Sequence, residues 1–395
     1  MNLVAHNKCS GCTACYTACP HRAISMVPDA EGFLYPQIDK ERCIQCGLCE
    51  KVCPSLHIGI SRKPLAVYAV KAIDEELRKE SSSGGVFTLL ARKVFNNTGV
   101  VFGAAYDRND WHVYHRYVED ESGLEELRGS KYVQSNLGES LKLVKDFLLK
   151  GRIVLFSGTP CQIAALNKYL EMSKKSLLDR LITVEVVCHA VPSPLVWAKY
   201  IEKRIIAVNK ENESEDIHIR RISSRCKHCG WKRFAMSLTF DNDMAYLACF
   251  DEDPFMRGFL AELYNRPSCY NCSSRELRSG ADLTIADYWN VQQRFPDMDD
   301  DKGVSLVMVN TEKGKWLFDG ESSEIEIRLS DFEHACETNP AIFRSSKPHR
   351  NRSCFFKDVR RFDFDTLIGR CLRPSLIQKS KRLARWVLYK VGIHK

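Results

Sequence analysis

From residue 65 onward, hydrophobic and polar positions fall into short runs with a period of two or of about 3.6. Residues 65–72 (LAVYAVKA) alternate and predict a strand. The small residues Ser81 to Gly85 follow. Val86, Leu89, Leu90 and Val94 then recur at helical spacing until Asn96-Asn97-Thr98-Gly99 stops the run. Residues 100–106 and 112–118 predict two more strands, and residues 141–149 an amphipathic helix closed by Gly151. Residues 152–156 read as a strand entering Ser157-Gly158-Thr159-Pro160-Cys161, with a helix to about Leu170. Residues 181–187 form a strand ending at Cys188-His189, followed by a helix over 194–206. Strands alternating with helices predict an α/β domain. From about residue 208 the chain turns polar and reads as irregular, with order returning at 281–288 and 304–309.

The first 60 residues are punctuated by cysteine instead. Cys9-x2-Cys12-x2-Cys15-x3-Cys19-Pro20 is repeated as Cys43-x2-Cys46-x2-Cys49-x3-Cys53-Pro54. This is the spacing of bacterial two-cluster ferredoxins, in which the fourth cysteine of each run ligates the other cluster. Cys9, Cys12, Cys15 and Cys53 are therefore expected to hold one 4Fe–4S cube, and Cys43, Cys46, Cys49 and Cys19 the other. Zinc sites pair two short Cys-x2-Cys loops and have no need of the trailing Cys-Pro. The segment GFLYPQIDKERC between the motifs reads as a hairpin, and residues 61–64 as a linker. The expected fold is an α+β ferredoxin-like module over 1–60 followed by an α/β domain.

At 395 residues the chain is too long for a ferredoxin alone. Its 44% hydrophobic and 27% charged content is that of an ordinary globular protein. The N-terminus runs straight into the first motif without a secretory signal, and no run of about 18 apolar residues exists. Eighteen cysteines read as metal ligands or catalytic thiols before disulfides, and the clusters require a reducing compartment, so a cytoplasmic location is expected. The net charge of +8 is matched by eight Lys/Arg and no acid in residues 366–395, leaving 8 − 8 = 0 elsewhere. That distribution argues against nucleic acid as a partner. Leu376, Leu383, Trp386, Val387 and Val391 give the basic tail a helical apolar face. It suits a docked helix, or one lying on an anionic membrane surface or a partner.

Candidate chemistry continues past the module. In SSSGGVFT, Ser82, Ser83, Gly84, Gly85 and Thr88 open a helix, where backbone N–H groups and hydroxyls suit a phosphate or simply cap the helix. In SGTPCQ, Thr159 is placed as N-cap and Pro160 as first helical residue, so Cys161 lies in the first turn, where the helix dipole lowers a thiol pKa. Cys188 ends another strand, and ligands collect at the carboxyl ends of parallel strands. With Cys269-x2-Cys272 these make four further thiols, enough for a third 4Fe–4S cluster. The alternative is zinc on Cys226-x2-Cys229 with Cys269-x2-Cys272. His189 reads as a proton donor or a structural residue, and Asp282 and Asp287 as ribose ligands or loop caps. Arg128, Lys131 and Arg266 read as phosphate neutralisers or as solvated surface. Cys249, Cys336, Cys354 and Cys371 stand alone and read as structural.

The order of SSGGVFT (82–88), GSKYVQS (129–135), SGTPCQIAAL (157–166), VCHAVPSP (187–194), RPSCYNCSSRELRSGADLTIADYW (266–289) and NPAIFRSSKP (339–348) behind a ferredoxin resembles the family of the coenzyme F420 hydrogenase/dehydrogenase beta subunit. The resemblance implies an iron–sulfur flavoprotein oxidoreductase. A ferredoxin or other redox protein would supply electrons through the clusters to FAD, and a small organic substrate would exchange hydride there. The other role it leaves open is a non-catalytic electron-transfer or assembly subunit. By match, SSGGVFT and GSKYVQS, with Ser130, Lys131, Tyr132 and Gln134, would cradle FAD together with Thr159, Gln162, Asp282 and Asp287. Cys161, Cys188, Cys269 and Cys272 would hold the cluster nearest the flavin. Domains are expected at 64–148 (N-terminal region), 149–330 (C-terminal region) and 331–395 (extension with the basic helix). The chain departs from the family pattern at Ala286, where glycine is usual, and in the Cys226/Cys229 pair.

Overall fold

A computed structural model describes residues 3–213, 216–318 and 323–373; the basic helix expected in the tail lies outside them. In the cysteine-rich module, β1 (Ile24–Pro28) and β2 (Leu34–Ile38) form an antiparallel hairpin. Two one-turn helices, Ala14–Ala18 and Leu48–Lys51, each follow a cysteine loop.

The remaining strands are β3 (Ala66–Ala72), β4 (Val100–Tyr106), β5 (Val113–Val118), β6 (Val154–Gly158), β7 (Leu181–Val186), β8 (Ile219–Cys226), β9 (Ala235–Phe240), β10 (Ala245–Cys249), β11 (Leu283–Asp287), β12 (Ser305–Val309) and β13 (Ile325–Ser330). Eight of them form one sheet in the order β13-β3-β12-β11-β7-β6-β4-β5. β4, β6, β7 and β11 are parallel, whereas β5, β12 and β13 each run antiparallel to their neighbours. The sheet is thus mixed, and the segments 64–148 and 149–330 both contribute strands to it. The central strands are buried on both faces, as in β12, where all five residues are buried. Helices Val86–Asn96 and Pro160–Leu170 cover it.

The described residues of the region read as irregular from residue 208 are ordered. β8, β9 and β10 make a separate antiparallel sheet. It packs with helices Pro194–Glu211, Pro254–Leu260 and Phe364–Cys371 around Trp197, Tyr200, Phe240 and Phe255. β8 reads IRRISSRC, with only Ile219 and Ile222 as inward apolar anchors and two arginines exposed. A strand so polar carries too weak a period-two signal to separate from a loop. Among the described residues no helix is long and apolar enough to cross a membrane.

Candidate redox centres

Both loops of the module turn on left-handed residues: Gly11 and Thr13 in the first, Gln45 and Gly47 in the second. These turns fold each Cys-x2-Cys-x2-Cys run back on itself. One cavity is lined by Cys9, Cys12, Cys15, Cys49 and Cys53, with Leu3, Val4, Met26 and Leu56 as apolar wall. The second is lined by Cys19, Cys43, Cys46 and Cys49, with Ile24, Ile38, Ile44 and Leu48. Each cavity takes thiols from both motifs: Cys53 joins Cys9, Cys12 and Cys15, Cys19 joins Cys43, Cys46 and Cys49, and Cys49 lines both. The Ala23 N–H donates to Cys19 Sγ at 3.3 Å. Burial, followed by the neighbouring thiols, pushes the Cys15 thiol up to about 12 and raises Cys12 as well. A buried thiol set that resists deprotonation alone is suited to ligating iron, whose charge offsets the cost.

The other four thiols also converge. Cys161 opens helix Pro160–Leu170 behind a capping box formed by Thr159 and Gln162. Cys188 lies two residues beyond β7, and Cys269 and Cys272 lie on and just after the 3-10 turn Pro267–Asn271. Cys188 is held well above its ordinary pKa by burial and then by Cys269, Cys161 and Cys272, so all four share one neighbourhood. Cys161 departs from the sequence expectation. Burial, and then the neighbouring Cys272, push its thiol up to about 11, with Thr159 Oγ1 at 3.2 Å acting against them. The zinc alternative does not form, since Cys229 faces Cys249 on β10 instead of Cys269 and Cys272. Cys249 is accordingly not isolated. Among the described residues, no group of three or more His, Cys, Asp or Glu converges on a point suited to a single metal ion.

The carboxyl ends of β4, β6, β7 and β11 share one edge of the sheet. The segment Ser82–Gly85 joins that edge: Gly84 N–H donates to Ser305 Oγ at 2.9 Å, and a Cβ on Gly84 would meet Val70 O at 2.4 Å. Ser82 Oγ lies 2.9 Å from Ser130 Oγ. Arg225, from β8, is buried. It donates to both oxygens of Asp287 at 2.9 and 3.0 Å, to Ser82 O at 3.1 Å and to Tyr132 Oη at 3.3 Å. Trp231 donates to Asp287 Oδ1 at 2.9 Å and stacks on Trp289. Lys227 donates to Ser83 O at 2.9 Å, and burial lowers it to about 7. Arg225, Lys227 and Trp231 were missed because they belong to the polar segment that carried no strand signal. Lys131 donates to Glu126 O and Arg128 O and is likewise lowered to about 7 by burial.

Other sequence candidates lie elsewhere or are already engaged. Thr88 is buried inside its helix, and Ser83 donates to Val304 O. Asp282 sits at the amino end of β11, away from Asp287, and accepts from Thr183 and Thr311. Gln162 Nε2 reaches Ser135, and Gln134 turns to the ferredoxin loop, donating to Ser10 O at 2.8 Å. His189 Nε2 is 2.6 Å from Glu262, with its ring edge-on to Phe259. Arg128 pairs with Glu80 at the surface. Arg266, read as solvated surface, is fully buried.

Comparison with known proteins matches residues 67–142 to the N-terminal model of the coenzyme F420 hydrogenase/dehydrogenase beta subunit, and residues 151–335 to its C-terminal model. A 4Fe-4S dicluster domain matches residues 8–56. The F subunit of the F(420)H(2) dehydrogenase from Methanosarcina mazei is 23% identical over 254 residues, covering 58% of this chain and 72% of that one. An uncharacterized protein of Methanocaldococcus jannaschii is 27% identical over 200 residues, 42% of this chain and 53% of that one. A chain of the F420-reducing NiFe hydrogenase complex from Methanosarcina barkeri aligns over 71% of this chain and 90% of its own length, at 15% identity and a TM-score of 0.46.

Proposed function

We propose, for a chain that belongs to the family of the coenzyme F420 hydrogenase/dehydrogenase beta subunit and carries a 4Fe–4S dicluster domain, a three-cluster flavoprotein oxidoreductase. It takes electrons from a ferredoxin-type donor and exchanges hydride with a small organic substrate. The observation that carries this reading is the placing of Cys161, Cys269 and Cys272 around Cys188, with Arg266, three residues before Cys269, bonded to the Cys9 loop. Cys9, Cys12, Cys15 and Cys53 hold the inner cluster, and Cys43, Cys46, Cys49 and Cys19 the outer one. Cys46 and Ile44 are exposed, which supports the outer cluster as the docking edge for a donor. The four later thiols hold the third cluster.

FAD supplies the conversion between single electrons and hydride. Ser82, Gly85 and Ser130 suit its phosphates, and the buried Arg225 fixes Asp287 and Tyr132 at the same edge. The relatives named for F420 support a deazaflavin as the substrate class. A second reading, a non-catalytic subunit in a larger complex, draws on the Methanosarcina mazei relative being named as a subunit. Iron and flavin are to be quantified in anaerobically purified protein, with visible spectra. About twelve irons and one flavin per chain are expected. About eight irons and no flavin would leave a two-cluster carrier.

A further inference from the structure

The junction between the module and the rest of the chain holds a buried positive charge that pairs with no carboxylate among the described residues. Arg266 is 0% exposed. Its guanidinium donates to Cys9 O, to Leu34 O and to Gln134 Oε1, each at 2.8 Å, and all three acceptors are neutral. It lies over the rings of Phe33 and Tyr35, 5.2 and 4.5 Å from their centroids. A Cβ on Gly11, between Cys9 and Cys12, would come within 2.8 Å of Arg266 Nη1, so the loop and the guanidinium are in contact. On its own chain Arg266 stands three residues before Cys269, and its charge is felt by Cys269 and Cys161. One side chain thus touches the ligand loops of two centres. Burying an unpaired guanidinium is costly unless countercharge lies close by. Iron–sulfur clusters with four thiolates carry negative charge, and their potentials respond to nearby charge and hydrogen bonds.

We propose that Arg266 is the electrostatic link between the inner cluster and the third cluster. Its guanidinium is the shared countercharge that raises the reduction potential of both and fixes the inner loop against the third centre. This rests on the three-cluster reading above. Arg266 is a positioning residue, and its charge, beyond its packing, sets the readout.

The test is an EPR-monitored redox titration of the anaerobic full chain, with iron counted in parallel. Arg266→Gln is expected to lower the reduction equilibrium of both clusters about tenfold, equivalent to about 59 mV for a one-electron couple. Arg266→Lys offers a cation without the three-acceptor fork, so its shift is expected to fall between those of the unmutated protein and Arg266→Gln. Gln134→Glu sets a carboxylate on the guanidinium with Arg266 in place. It is expected to shift both clusters in the same direction as Arg266→Gln, so the proposal stands or falls on it if Arg266→Gln loses iron. Unchanged potentials in an iron-replete Arg266→Gln or Gln134→Glu protein would overturn the proposal. A deficit of iron in the unmutated protein would instead overturn the three-cluster reading.

Discussion

Acid should loosen the joint between the cysteine-rich module and the sheet at His115. This imidazole is buried in β5 and stacks on Phe156, with ring centroids 5.1 Å apart. Its Nε2 lies 2.9 Å from Ser157 O, which can only accept, so Nε2 carries the proton and Nδ1 accepts from the Ser135 hydroxyl. Ser157 leads into the Cys161 loop, and Ser135 follows Gln134, whose side chain holds Ser10 of the first cysteine loop. Burial, and then the Lys131 ammonium, lower His115 from 6.5 to about 4. A base with a lowered folded pKa stabilises the fold fully above its unfolded pKa, and that stability is lost as pH falls from about 6.5 toward about 4. Integrating the difference from pH 7.5 to pH 5 gives a loss of about 2 kcal/mol from this one group. The assay is anaerobic urea unfolding of the unmutated protein and His115→Gln across that range. The variant should lack this share of the pH dependence, so the gap between the two should narrow by about 2 kcal/mol on acidification. A gap that stays constant with pH would refute the assignment of a buried neutral histidine.

Two further substitutions probe the module and the edge proposed to hold flavin. Arg225→Ala strands Asp287 and removes the bonds to Ser82 and Tyr132, so it should cost about 3 kcal/mol and lower bound flavin; thermal melts with flavin counting check both. Gly11→Ala puts a Cβ at φ +67° and against Arg266, so it should cost about 2 kcal/mol and lower iron loading, with intact loading counting against the packing described.

Cysteine carried the most legible part of the site. Its spacing is a covalent requirement of the cluster, and the cysteines of both motifs line two cavities, with Cys49 lining both. The strands and helices of 65–206 were legible because buried elements repeat their apolar positions, as in β3 and helix Val86–Asn96. The antiparallel pairing of β12 and β13 was not, because register and direction come from long-range pairing that a local pattern does not encode. Arg225 and Arg266 were illegible for a related reason. An arginine's sequence neighbourhood says nothing of whether distant loops will close over it, and here the Ser82 loop closes over Arg225 and the Cys9 loop over Arg266. Asp282 and Asp287 look equivalent in ADLTIAD, yet they fall at opposite ends of one strand.

The central claim is best tested by the iron content of Cys161→Ser, purified anaerobically beside the unmutated chain. The account predicts about twelve irons falling to about eight, with the two amino-terminal clusters still reducible and the flavin no longer reduced through them. A Cys161→Ser protein that retains all its iron and reduces flavin at the original rate would contradict it.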